Sequence, residues 1–348
     1  MSEVSPMSNA TIKDVARISG VSLATVSRVI NKTGYVSPEL SEKVLHAIRS
    51  TGYHPNQAAR ALVQRRSDSI GVIVHNLHDP FFCDLIRGFE DAAAETSYNV
   101  IFASVVGGDL QSKEKYLRYL SGGVVDAVVI YGSYMSDEDM IRYVSSSANI
   151  DYLLIENDIR DLQCNKLLIN NLQGACSAVD YLIGKGHSDI AHICGNPNKK
   201  ITIDRLSGYL ESMRSRGLEV KEGYLQHTSS DYRSGYARMQ DLLALPNRPS
   251  AVFCSDDAIA SFAVRAALDA GLRVPQDISI MGFDHQVNLP ERYRGPDITT
   301  VKQPLYEIGF DSISILSRQL KAGTEHSPER KEYDTQIIEQ ETVCPPSR

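Results

Sequence analysis

Residues 11–34, TIKDVARISGVSLATVSRVINKTG, decide how the rest of the chain is read. They spell two short helices joined by a tight turn. Thr11 and Asp14 form a helix-start pair: the hydroxyl suits an orphan backbone N–H, and the acid suits the positive end of the dipole. Ile12, Val15 and Ala16 fall on one helical face, Gly20 allows a sharp turn, and Val21 anchors that turn inside. Ser22 caps a second helix whose apolar side is Val26, Val29 and Ile30. Its other side presents Leu23, Ala24, Ser27, Arg28 and Asn31 at helical spacing. A helix–turn–helix showing short side chains and one arginine fits the major groove of DNA.

Working outward, Ser37 and Pro38 begin a third helix in the cap and first-turn positions each prefers. Leu40, Val44, Leu45 and Ile48 form its expected inner stripe, and Gly52 ends it. Charge divides the chain at the same place. Residues 1–66 hold nine Lys/Arg against four Asp/Glu, and the remainder holds 27 against 39. Attraction for phosphate is thus concentrated at one end, on an otherwise acidic body. With 348 residues, 42% hydrophobic and 23% charged, the chain is long enough for several cores. No apolar run is long enough to span a membrane, and MSEVSPMSNA carries no basic-then-apolar leader, so a cytoplasmic protein is expected. The six cysteines form no Cys-x-x-Cys pair and no cluster with histidine. Cys194 and Cys254, inside apolar runs, read as small buried hydrophobes; neither a metal nor a cofactor is expected.

Three segments, ATIKDVARISGVSLATVSRVIN, SPELSEKVLHAIRSTGYHPNQAARAL and SIGVIV, come in an order that resembles the lactose-repressor/galactose-repressor (LacI/GalR) family of bacterial transcription regulators. The resemblance implies that Leu23 and Ala24 discriminate operators by methyl groups and shape, and that Arg28 reads a guanine. Thr11, Ser22, Thr25, Ser27 and Asn31 would mostly meet phosphates. It also implies that residues 56–66 are a hinge helix that folds on the minor groove in a dimer, with Asn56, Arg60 and Leu62 on the DNA. Leu62 would wedge between base pairs and kink the duplex. The plainer reading is a helical linker whose leucine packs on the head; we favour the hinge, because a leucine among Gln and Arg otherwise lacks a partner.

From Ser69 the texture changes to strands alternating with helices. IGVIV, NVIFAS, DAVVIYG and DYLLIEN are separated by helical stretches near Phe81, Gln111 and Ser136. IAHIC, AVFCSD and ISIMGFD follow, with helices near Gly174, Arg205, Gly235 and Ala258. Two such sets suggest, after an N-terminal all-α helix-turn-helix head, an α/β core of two doubly wound parallel-sheet lobes, which the family resemblance implies is periplasmic-binding-protein-like. The divisions are a disordered leader (1–9), the head (10–55), the hinge helix or linker (56–66) and an effector-binding and dimerisation domain (67–348). Within the last, the N-lobe is about 67–168 and 298–324, and the C-lobe about 169–297 and 325–348. The resemblance implies three crossings between lobes, placed near residues 169–172, 296–300 and 322–328. The C-terminal TQIIEQETVCPPSR has no leucine heptads, so no tetramer-forming helix is expected there.

Ligands of open α/β sheets bind beyond the carboxyl ends of the strands. Phe82, Arg205, Asp256 and Asp284 follow such ends and match effector positions of the resembled family; Phe81, Lys199 and Ile201 are secondary choices. Asp256 also reads as a helix cap, Asp284 as a turn cap and Phe81 as core. The chain has no tryptophan, so stacking must come from Phe or Tyr. Lys199 and Lys200 favour an anionic effector such as a sugar phosphate or sugar acid. Neither a phosphate-binding P-loop, a Gly-x-Ser-x-Gly elbow nor a His-Glu-x-x-His motif is present, so no enzyme is expected. The resulting expectation is a homodimeric, sequence-specific repressor of carbohydrate-utilisation genes, binding a near-palindromic operator under control of a sugar or sugar derivative. Two alternatives are a family member controlled by a phosphorylated carrier protein, and a solute-binding protein, against which the basic head argues.

Overall fold

The computed structural model describes residues 10–31, 33–54, 66–105, 110–132, 134–139, 141–142, 150–228, 231–286, 288–290, 293–323 and 326–347. The chain forms two compact units, Met1–Ser67 and Asp68–Arg348.

The first unit holds α1 (Ile12–Ser19), α2 (Leu23–Asn31) and α3 (Pro38–Thr51). Val15, Val26, Val44 and Ala47 are buried at its centre, ringed by Ile12, Val21, Val29, Ile30, Ile48 and Tyr53. Gly20 (φ 70°) and Gly52 (φ 65°) close α1 and α3 in the left-handed conformation that costs glycine least. The inner stripe of α3 is rotated from the expected one. Val44, Ala47 and Thr51 face inward, whereas Leu40 and Leu45 are exposed. Ala47 is buried with Val15, Val26 and Val44 in the head core.

The second unit has two lobes. Its first lobe is built on a six-stranded parallel sheet, in the order β11-β5-β4-β3-β1-β2. These strands are β1 (Ser69–Val74), β2 (Asn99–Ser104), β3 (Ala127–Tyr131), β4 (Asp151–Ile155), β5 (Asn165–Ile169) and β11 (Arg330–Tyr333). One face packs on α4 (Cys83–Glu95) and α10 (Leu305–Ala322); the other meets α5 (Leu110–Tyr119). At Gly88 and Gly309 the two helices α4 and α10 touch backbone to backbone. A Cβ on Gly88 would strike the Tyr306 carbonyl, and one on Gly309 the Leu85 carbonyl.

The second lobe carries the parallel sheet β7-β6-β8-β9: β6 (Ile190–Cys194), β7 (Leu225–His227), β8 (Ala251–Cys254) and β9 (Ser279–Met281). It is flanked by α6 (Asn171–Gly184), α7 (Lys200–Ser215), α8 (Ser234–Leu243) and α9 (Asp257–Asp269). A small antiparallel pair, β10 (Thr300–Lys302) with β12 (Gln336–Ile338), lies beside it. Cys194 and Cys254 are fully buried, as expected of small hydrophobes.

Two of the three expected crossings move. The first stands at Asn170, between β5 and α6. The second comes at residues 303–304 rather than 296–300, because Ile298 and Val301 belong to the C-lobe cores while Leu305 and Ile308 belong to the N-lobe core. The third comes at residues 334–335 rather than 322–328. Arg330–Tyr333 pairs with β5 and buries Tyr333 in the N-lobe, so it is not part of the C-lobe.

Candidate DNA-reading face and effector cleft

In the head, Thr25 N–H donates to Ser22 Oγ at 3.1 Å, so Ser22 caps α2 as its position requires. Thr11 and Asp14 form the expected helix-start pair, a capping box at the head of α1. The Thr11 hydroxyl donates to Asp14 Oδ2 (2.7 Å) and its N–H to the same oxygen (3.0 Å), while Arg17 approaches the other oxygen at 2.8 Å. These bonds hold the Asp14 carboxyl down at about 2. Leu23, Ala24 and Arg28 are exposed on the outer side of α2, with Leu23 45% accessible. Asn31 donates to Ser27 Oγ at 3.1 Å, linking two residues of the same row. Asn56, Arg60 and Leu62 lie outside the described residues.

The other candidate site lies between the two lobes of the second unit. The C-lobe contributes Arg205 from α7, 2% exposed, its guanidinium 3.7 Å above the Phe283 ring. Nε donates to Asn171 Oδ1 (2.9 Å), and Nη1 to the Ser255 carbonyl (2.5 Å) and to Asp284 Oδ1 (3.0 Å). Nη2 has no partner among the described residues, so a fixed guanidinium keeps its outer donors in hand. Asp284 also accepts from Gln303 Nε2 at 2.5 Å, which ties the site to the second crossing. Burial pushes its carboxyl upward, opposed by Arg205.

Asp256 caps α9, with Oδ1 accepting from Ile259 N–H at 2.7 Å. Its neighbour Asp257 is bound on both oxygens, by the Thr300 hydroxyl (2.6 Å) and Gln286 N–H (2.8 Å). Lys199 and Ile201 are half-buried at the start of α7; Lys200 is exposed. From the N-lobe, Phe82 is buried and Phe81 half-buried. The Phe82 ring packs edge-on to Tyr131 at 5.1 Å, so Phe82 is a member of the lobe core as well as its rim.

Several residues that sequence reasoning passed over complete the cleft. Glu156, at the end of β4, accepts from Ile169 N–H and from Asn171 Nδ2, both at 2.7 Å. Burial raises its carboxyl to about 7. Through Asn171 it is joined to Arg205, so a chain Glu156–Asn171–Arg205–Asp284–Gln303 runs from one lobe past the first two of the three crossings. His75, at the end of β1, stands edge-on to Tyr134 (4.9 Å) and Tyr131 (6.0 Å). Among the described residues neither of its ring nitrogens has a hydrogen-bond partner. Lys113 of α5 pairs with Asp137 at 2.6 Å, both almost wholly buried. Across the mouth, Tyr134 bridges to Lys199 in antiparallel fashion, and Met135 N–H donates to the Asn198 carbonyl at 3.1 Å. The lobes are therefore closed on each other. Glu156 (φ 61°), Asp284 (φ 103°) and His285 (φ 55°) adopt the left-handed conformation without being glycine. Such strain persists where the surroundings over-determine it, and functional sites are where it gathers.

Residues 11–56 match the model of the bacterial regulatory proteins, lacI family, and residues 179–343 that of a periplasmic binding protein-like domain. The chain is 32% identical to the ribose operon repressor of Haemophilus influenzae over 330 residues, covering 95% of this chain and 96% of that protein. It is 34% identical to the transcriptional repressor PurR of Erwinia tasmaniensis over 336 residues, covering 96% and 97%. The chain belongs to the LacI family. Among solved structures, a LacI-family neighbour, the lac repressor dimer bound to operator and an anti-inducer, shares the fold with a TM-score of 0.85 at 24% identity, covering 98% of this chain and 100% of that one. The CelR–cellobiose complex matches with a TM-score of 0.70 at 29% identity, covering 96% and 100%. As a LacI-family member the chain is a DNA-binding transcriptional repressor and not an enzyme. No helix among the described residues is long and apolar enough to cross a membrane.

Proposed function

We propose that this repressor acts as a homodimer on a near-palindromic operator and is controlled by a sugar or sugar derivative bound in the interlobe cleft. The carrying observation is Arg205: buried, held by three partners over an aromatic ring, and left with unused donors on Nη2. A planar fixed donor pair suits vicinal hydroxyl groups, and the second oxygens of Asp256 and Asp284 supply acceptors beside it. Phe81, Phe82, Lys199 and Ile201 line the remainder. On the DNA, Leu23, Ala24 and Arg28 read bases; Thr11, Ser22, Thr25, Ser27 and Asn31 meet phosphates; Asn56, Arg60 and Leu62 act from the hinge. Effector and operator affinities are then linked by equal factors.

Operator selection from random duplexes, followed by anisotropy titration with and without candidate sugars, tests this. The expected outcome is one pseudo-palindromic site whose affinity a ligand changes, with Arg205→Lys losing the ligand response while retaining operator affinity. Retention of DNA without sequence preference, or an unchanged ligand response in Arg205→Lys, overturns it.

A further inference from the structure

We propose that the effector carries an anionic group, seated at the cleft mouth where Lys113 and Lys199 flank the Tyr134 ring beside His75, with its hydroxyl groups turned toward Arg205, Asp256 and Asp284. This deepens the reading of the cleft as an effector site and rests on it.

Charge at the mouth does not balance. The Lys113 and Lys199 ammonium groups stand 5.1 and 5.3 Å from the centre of the same Tyr134 ring, one from each lobe. Asp137 pairs with Lys113; Lys199 has no carboxylate within ion-pair distance among the described residues. Closing the lobes thus brings two cations together with one anion between them, an arrangement that burial makes costlier. A ligand anion at this place restores neutrality and favours the closed state. A neutral ligand leaves the repulsion in place.

Hydrogen bonding points to the same position. Among the described residues, both nitrogens of His75 and Oδ2 of Asp137 are buried without partners. Burial, with the two lysines, lowers the imidazole to about 3, so it is neutral, with one donor and one acceptor. A phosphate or carboxylate with an adjacent hydroxyl satisfies all three atoms: its oxygens accept from the imidazole N–H and the ammonium groups, and its hydroxyl donates to the other nitrogen or to Asp137.

The opposite end of the cleft offers an anion little. There Arg205 is already engaged with Asp284, and the carboxyls of Glu156 and Asp256, which burial favours in the neutral form, suit hydroxyl groups. The ligand is therefore oriented, hydroxyls at the acidic floor and charge at the mouth. The exposed Lys200 plays no part in it.

Calorimetric titration of the full-length protein with matched sets tests the assignment: glucose, glucose 6-phosphate and glucuronate; galactose, galactose 1-phosphate and galacturonate; ribose and ribose 5-phosphate. At least one phosphorylated or acidic member should bind tenfold or more tighter than its neutral parent, and which of the two arms responds identifies the anion. Lys199→Gln should weaken that ligand by roughly tenfold to a hundredfold. Lys199→Arg should retain most of the affinity. A neutral parent binding as tightly as its anionic derivative, or an unchanged affinity in Lys199→Gln, overturns the anion while leaving an effector in the cleft. Failure of every compound to bind overturns both.

Discussion

The two walls of the cleft are built to different standards. On the C-lobe side nearly every charged group is committed: Arg205 to Asn171, Ser255 and Asp284, Asp256 to the start of α9, and Asp257 to Thr300 and Gln286. On the N-lobe side both nitrogens of His75 and one oxygen of Asp137 are buried and unused. One wall is preorganised before anything binds; the other is completed by what binds. Preorganised groups give orientation at little reorganisation cost, whereas unsatisfied ones make closure depend on ligand.

Removing a member of the committed wall should have the largest effect. Arg205→Ala leaves Asp284 buried without its cation and should cost about 3–5 kcal/mol in denaturant unfolding. The double variant Arg205→Met/Asp284→Asn should recover much of this, while ligand binding stays lost. An Arg205→Ala midpoint close to wild type would show the wall to be less tightly wired than the distances imply.

A smaller effect follows from Glu156. In the folded protein its carboxyl holds a proton up to about pH 7, against 4.5 for the ordinary group. The folded state therefore binds the extra proton between those values. The stability this group contributes is fully present below about pH 4.5 and is lost as pH rises through 7, on the order of 3 kcal/mol. Thermal unfolding of Glu156→Gln across pH 5–8 should show a flatter slope than wild type; parallel slopes would remove Glu156 as the source.

Arg28 is contained in a unit that shares none of this wiring. Arg28→Ala should cost about 1–3 kcal/mol on the operator and relax one base position, with fold stability unchanged. Equal losses on operator and random duplex would make it a phosphate contact. The smallest change is expected at His75. His75→Phe removes two unsatisfied nitrogens while keeping the ring packing on Tyr131 and Tyr134, so the free protein should gain about 1 kcal/mol and bind effector more weakly. Destabilisation by this substitution would mean that the imidazole already has partners.

Legibility in the sequence followed the range of the forces involved. The head was readable because its signals are local: Ser22 and Ser37 as caps, Gly20 and Gly52 as stops, and Val15, Val26 and Val44 as core. Arg205, Asp256 and Asp284 could be singled out as candidates because they come after apolar strand runs, and the structure pairs Arg205 with Asp284. His75 and Glu156 also stand at strand ends, β1 and β4, and the same rule applied to every strand would have found them. Lys113 and Asp137 gave no such signal, since both lie on helices rather than at a strand end. Helix α10 was missed although its apolar residues recur at helical spacing, and the RKEY strand shows no apolar alternation. Only its backbone pairing with β5 makes it a strand.

By itself, the sequence determined what neighbours along the chain can enforce: a basic three-helix head, strands alternating with helices, and the residue types at most strand ends. Tertiary structure alone decided where the chain crosses between lobes and which buried groups find partners. Those outcomes depend on contacts between residues such as Asn171 and Arg205, or Lys113 and Lys199. Such groups are far apart in sequence, and their energies of burial and charge are set by the space around them rather than by the residues beside them.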